Sequence, residues 1–160
     1  MAYHDDLLRQ AFQLVHKEPR NPKQASLRRA VSTAYYALFH LLISEAVANW
    51  SRVNLRPALG RAFDHNIMKA ASNRIQDTRQ FPFVGENARV VASLKAVAKT
   101  FAELQEKRHT ADYDNTTFWT RTEALVHIKS AEQAFRAWKS IRTEQIAQAY
   151  LVSLIVKKRD

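Results

Sequence analysis

The sequence predicts an all-α fold, an antiparallel bundle of about five helices with a long C-terminal helix. Three observations carry that expectation. Only two glycines and four prolines occur in 160 residues, whereas a β-rich chain of this length needs many turns, and turns draw on those two residues. Ala, Leu, Gln, Lys and Arg, all good helix formers, are plentiful. Apolar residues recur at spacings of three and four through most of the chain. A composition of 46% hydrophobic and 25% charged residues suits a folded core rather than disorder, and the length fits one domain.

Residues 3–17 place Leu7, Leu8, Ala11, Phe12, Leu14 and Val15 at helical spacing, with Asp5 and Asp6 in the first turn where the helix dipole favours acids. Pro19 and Pro22 end this helix, since proline lacks the amide donor and restrains its predecessor. A second helix is expected over about 23–49. Its run from Ala34 to Ile43 is apolar almost all round, which marks a central helix. Pro57 suits the first turn of a third helix over about 58–76. Phe81 to Gly85 reads as a loop, and a fourth helix is expected from Glu86 to about Lys107, striped by Val90, Val91, Leu94, Val97, Phe101 and Leu104. Asp112, Asp114, Asn115 and Thr117 favour turns and caps over 109–117. From Phe118 the helical pattern resumes as one long helix, or as two with a soft break near Ser140. Residues 1–140 read as the bundle and 141–160 as a helical extension of the same domain, whose apolar face over 146–155 must be covered by a twofold partner or by its own bundle.

Cysteine is absent, which excludes disulfides, thiolate metal sites and a thiol nucleophile. No basic segment followed by an apolar run opens the chain, so no signal peptide is expected. The apolar run over 149–156 is too short to span a bilayer, and a cytoplasmic protein without a membrane partner is expected. The net charge is +10, and residues 19–76 hold nine Lys or Arg against only Glu45 and Asp64. Such a balance favours polyanions: nucleic acid, an anionic membrane or an acidic protein. A solvated helix surface accounts for the same charges equally well. No spaced set of His and carboxylates suggests a metal, and two isolated glycines cannot build a phosphate loop; no cofactor is expected.

Three places carry a family resemblance. Arg28 and Arg29 precede Ala34, Tyr35, Tyr36, Ala37, Leu38, Phe39 and His40. Asp64, His65 and Lys69 lie in a basic, His-containing helix. Arg108, His109, Asp112 and Tyr113 end the fourth helix. In this order and spacing, from about residue 5 to 140, the chain resembles HEPN domains. The resemblance implies a helical bundle that dimerises. It also implies binding of RNA or a nucleotide, or partnership with a nucleotidyltransferase, in a toxin–antitoxin type of system. Arg28, Arg29, Tyr36, His65, Lys69, Arg108, Asp112 and Tyr113 would line the site.

Catalytic members of the family carry an Arg followed after four to six residues by His. The chemistry explains the pair: metal-free RNA cleavage needs an acid, a base and a cation for the developing phosphorane charge. Here the corresponding slots after Arg108 hold Tyr113, Asp114 and Asn115, and His109 is adjacent instead. Arg9 with His16 and Arg121 with His127 fit the spacing, but fifteen arginines and six histidines make such matches by chance. Arg108 and Asp112 are spaced for a helical ion pair, which also suits a purely structural helix end with Tyr113 in the core. Of Tyr35 and Tyr36, one is expected inside, and His40 is expected to be a satisfied core histidine. Three readings follow: a module binding RNA, nucleotide or a nucleotidyltransferase; a metal-independent endoribonuclease using Arg108 with His109 or with a histidine brought from elsewhere; and a structural dimer joined through the 146–155 face.

Overall fold

The computed structural model describes residues 1–81 and 83–158. Pro82, in the expected loop, and the last two residues of the expected extension lie outside them. Among the described residues all regular structure is helical. The helices are α1 (Tyr3–Val15), α2 (Gln24–Val47), α3 (Arg56–Gly60), α4 (His65–Arg74), α5 (Ala88–Tyr113), α6 (Arg121–Ile141) and α7 (Gln145–Ser153), with a 3-10 turn at Val53–Leu55 before α3. The chain forms two compact units: Met1–Leu41 with Glu103–Phe135, and Leu42–Ala102 with Arg136–Asp160.

In the first unit the core is built from Ala11 and Val15 of α1, Leu27, Ala30, Val31, Ala34, Tyr35, Ala37 and Leu38 of α2, and Leu104, Ala111, Ala124, Ile128 and Ala131. The continuous apolar run of α2 is therefore a core signal. This helix is long and apolar enough to cross a bilayer by composition alone, but 61% of its most apolar window is buried inside the fold. Glu18 accepts from the Ser26 hydroxyl at 2.8 Å, which holds its carboxyl below the usual value and ties the Pro19–Pro22 turn to the start of α2. Asn21, between those prolines, takes φ 50°, a left-handed conformation that Asn tolerates better than most residues.

In the second unit the core comprises Met68, Ala71 and Ile75 of α4, Leu94, Val97 and Phe101 of α5, and Trp138 with Ile146, Tyr150, Leu151 and Leu154. Helix α7 packs on α4. The Tyr150 hydroxyl meets Ser72 Oγ at 2.7 Å. Ser72 donates its single proton to the Met68 carbonyl, so Tyr150 is the donor of the pair. Burial pushes the Tyr150 phenol well above its usual value. The apolar face expected to seek a partner over 146–155 is thus largely covered within its own unit, leaving Val152 and Ile155 exposed.

Two boundaries differ from the sequence expectation, and a third falls beside the expected break. The expected helix over 58–76 is two helices, because Asp64 adopts an extended backbone and its Oδ1 accepts from Asn66 N and Ile67 N, starting α4 afresh. Helix α5 runs six residues beyond Lys107, and its Ala111 carbonyl and the loop after it are held by a distant arginine described below. The C-terminal helix breaks after Ile141, nearly at the soft break near Ser140. There the Gln148 amide donates to the freed Arg142 carbonyl at 2.6 Å, and the Arg142 side chain pairs with Glu45.

The start of α6 is set by a reciprocal cap absent from the sequence expectation. Glu123 N donates to Thr120 Oγ1 at 3.2 Å and Thr120 N donates to Glu123 Oε2 at 3.4 Å, the pairing of a capping box. Thr120→Ala is expected to lower stability by about 1 kcal/mol, read from the midpoint of chemical denaturation.

Candidate functional site

The first unit holds most of the residues singled out by sequence. Arg108 lies on α5 with its guanidinium carbon 5.2 Å from the Tyr35 ring centre and 5.8 Å from that of Tyr36. Its Nη1 is 3.8 Å from Asp112 Oδ2, the expected ion pair one helical turn on. Asp112 Oδ2 also accepts from Ser32 Oγ at 3.3 Å. The Arg108 side chain is largely buried, and its Nε–H is buried with no hydrogen-bond partner. A planar cation over two aromatic faces in a largely dehydrated setting is stabilised by about 2 kcal/mol. Tyr35 is the inward member of the tyrosine pair, fully buried, while Tyr36 is only half-buried.

Arg28 has a different task. Its Nη1 donates to the carbonyls of Ala111 at 3.0 Å and Asp114 at 2.8 Å, and its Nη2 donates to that of Thr117 at 2.7 Å. A helix leaves its last carbonyls without intrahelical donors; this guanidinium serves one of them, at Ala111, and two loop carbonyls beyond it, which ties the end of α5 to α2. The loop is held further by Asp114, which accepts from Thr116 N, Thr116 Oγ1 and Thr117 Oγ1. Those donors hold its carboxyl down to about 2. Gln24 completes the clamp: its amide accepts from Trp119 N at 2.9 Å and donates to Trp119 O at 2.7 Å. Arg28, expected at phosphate, is therefore occupied by backbone.

Arg29, one residue on and about 100° around the helix, points elsewhere. It lines a groove of about 600 Å³ with Tyr3, Leu7, Gln10 and Leu14 of α1 and Thr33, Tyr36 and His40 of α2. Each set of four is a stripe at spacings of four, three and four residues, so each is one helix face. The Tyr3 and His40 rings meet edge-on at 4.9 Å. His40, expected in the core, is half-buried at the groove wall. Tyr36 belongs both to this wall and to the stack beneath Arg108. Sequence reasoning did not single out Tyr3, Leu7, Gln10, Leu14 and Thr33; the signal that could have found them is that α1 has more apolar positions than it buries, with Leu7 and Leu14 left half-exposed.

The other candidates are placed as follows. His109 and Tyr113 meet at a tilt with 4.9 Å between ring centres, and both are exposed; Tyr113 is 67% exposed rather than packed in the core. His109 thus faces solvent while Arg108 faces the tyrosines of α2. His65 and Lys69 share one face of α4 in the second unit. Arg121 is a structural residue, donating to the carbonyls of Val15, Glu18 and Pro19. His127 packs edge-on against Trp119 at 5.7 Å, and burial, assisted by Lys107, holds its pKa below the usual value. Among the described residues no group of three His, Cys, Asp or Glu is placed to hold a metal ion.

No family model, curated protein or solved structure matches the chain.

Two outcomes are expected. Arg28→Ala strips donors from three carbonyls and should cost about 2 kcal/mol, with Arg28→Lys recovering only part, as measured by urea denaturation. His127 favours its neutral form when folded, so its contribution is full above the unfolded value near 6.5 and is lost as pH falls below it. His127→Gln should flatten the decline in stability between pH 7 and 5; an unchanged slope would assign that decline to other groups.

Proposed function

We propose that this chain is a HEPN-like module that binds single-stranded RNA or a nucleotide along the α1–α2 groove of its first unit, without cleaving it. The observation that carries the reading is the stripe Arg29, Thr33, Tyr36 and His40. It alternates a cation, a hydroxyl and two rings along one wall, with Tyr3 opposite. Nucleobases of any sequence stack on such rings, and a phosphate takes the guanidinium fork. Tyr36 lies against the Arg108 cation, a contact that restricts its ring and lowers the entropy lost on stacking. The net charge of +10 adds long-range attraction for a polyanion.

Binding is favoured over catalysis by geometry. Arg29 and His40 are eleven residues apart on one helix, about 16 Å along its axis, with Thr33 and Tyr36 between them on the same groove wall. Arg108 and His109 have separate surroundings, whereas an acid–base site needs its groups to converge on the reacting atom.

Fluorescence anisotropy with a labelled oligouridylate over a salt series tests this. Affinity should fall steeply with salt as counterions are released. Arg29→Ala should reduce the slope of log affinity against log salt by about one. Tyr36→Ala should weaken binding by about 1–3 kcal/mol, with unfolding curves run alongside to separate this from lost stability. No binding at low salt rejects the reading, and cleavage in EDTA would make the protein a metal-independent ribonuclease instead.

A further inference from the structure

The second unit presents a feature that the RNA reading does not use. Between α2 and α3 the chain exposes three large apolar side chains within six residues: Trp50 is 50%, Val53 64% and Leu55 47% exposed. Folding ordinarily hides such groups, and a cluster rimmed by charge marks a contact surface. The charges within this segment are of one sign, with Glu45, paired with Arg142, and Asp64 at its two ends. From Ala46 to Phe63 the sequence holds Arg52, Arg56 and Arg61 and no acid. The segment is also built rather than slack. Arg56 Nε donates to the Trp50 carbonyl at 2.9 Å and its Nη2 to the Ala48 carbonyl at 3.0 Å, capping α2 and fixing the turn that carries Trp50. The 3-10 turn Val53–Leu55 then feeds directly into α3, whose first turn holds Pro57.

We propose that this segment, Trp50 to Arg61, seats the protein on an anionic phospholipid surface. The chemistry selects that occupant. Nucleic acid would use the Trp50 ring and the arginines, but Val53 and Leu55 offer no π face to a base. A second copy of the same surface would bring arginines against arginines. A bilayer of anionic lipid satisfies all the parts at once: indole prefers the headgroup boundary, short aliphatic side chains enter the first acyl layer, and guanidinium groups pair with phosphates. The sequence expectation of no membrane partner followed from the lack of a spanning segment; a segment lying on the surface needs no such length.

The three tryptophans allow a direct test, because Trp119 is 4% and Trp138 0% exposed. A change in indole emission on mixing therefore reports Trp50. Phosphatidylcholine vesicles containing phosphatidylglycerol, at low salt, should shift the emission of the full chain to the blue and sediment it, and phosphatidylcholine alone should do neither. Trp50→Ala should abolish the shift. The double variant Val53→Ser with Leu55→Ser should weaken sedimentation roughly tenfold while leaving thermal unfolding unchanged, both side chains being exposed. Emission unmoved by the anionic vesicles overturns the proposal, and so does a double variant that sediments like the parent, since charge alone would then explain binding. A shift produced by oligouridylate but not by vesicles would assign the surface to nucleic acid. The proposal stands on the second unit alone, so loss of groove binding through Arg29 and Tyr36 leaves it untouched.

Discussion

The guanidinium of Arg28 is the contact on which the arrangement of the first unit turns. One side chain near the start of α2 serves three carbonyls spread over the end of α5 and the loop after it. Without those donors, the carbonyls of a helix end would need water in a place where Ala111 is buried. With them, the end of α5 is tied to α2. That tie brings Asp112, one turn from Arg108, within reach of Ser32. The charge of Arg108 is then held over Tyr35 and Tyr36, and Tyr36 in turn shapes the groove wall. A structural cation thus orders a second cation, and the second orders an aromatic surface.

The arginines illustrate how little net charge says about use. Arg28 and Arg121 spend their donors on backbone carbonyls, Arg56 caps α2, and Arg142 pairs with Glu45. These side chains act as planar, permanently charged connectors, a role for which lysine has the wrong geometry. A basic balance therefore overstates the charge free for a polyanion, and the question becomes which cations are left beside a shaped surface. In the first unit Arg29 lines the groove; in the second, Arg52 and Arg61 are exposed in the segment that carries the exposed Trp50, Val53 and Leu55.

Much of the helical class was legible because it follows from local rules. Gly and Pro scarcity, the cap chemistry of Pro57 and the apolar run of α2 each act over a few residues, and each has its counterpart in the structure. The misses share a cause. The interruption at Asp64 looks like an ordinary polar position in sequence, and only its side chain turning back onto Asn66 and Ile67 makes it a helix start. The extension of α5 to Tyr113 could not be read from residues that favour turns, and the group that holds its end lies more than eighty positions away.

By itself the sequence determined an all-helical chain, a positive balance, the absence of thiol chemistry, and which residues share a helix face. The ion pair of Arg108 with Asp112 was readable for that reason, being one turn of one helix. The tertiary structure alone decided which face meets which neighbour. Arg28 and Arg29 are identical in type and adjacent, yet one is bound to carbonyls and the other lines the groove. Helical periodicity sets them about 100° apart, but it carries no information on what lies in either direction; that depends on where distant segments pack.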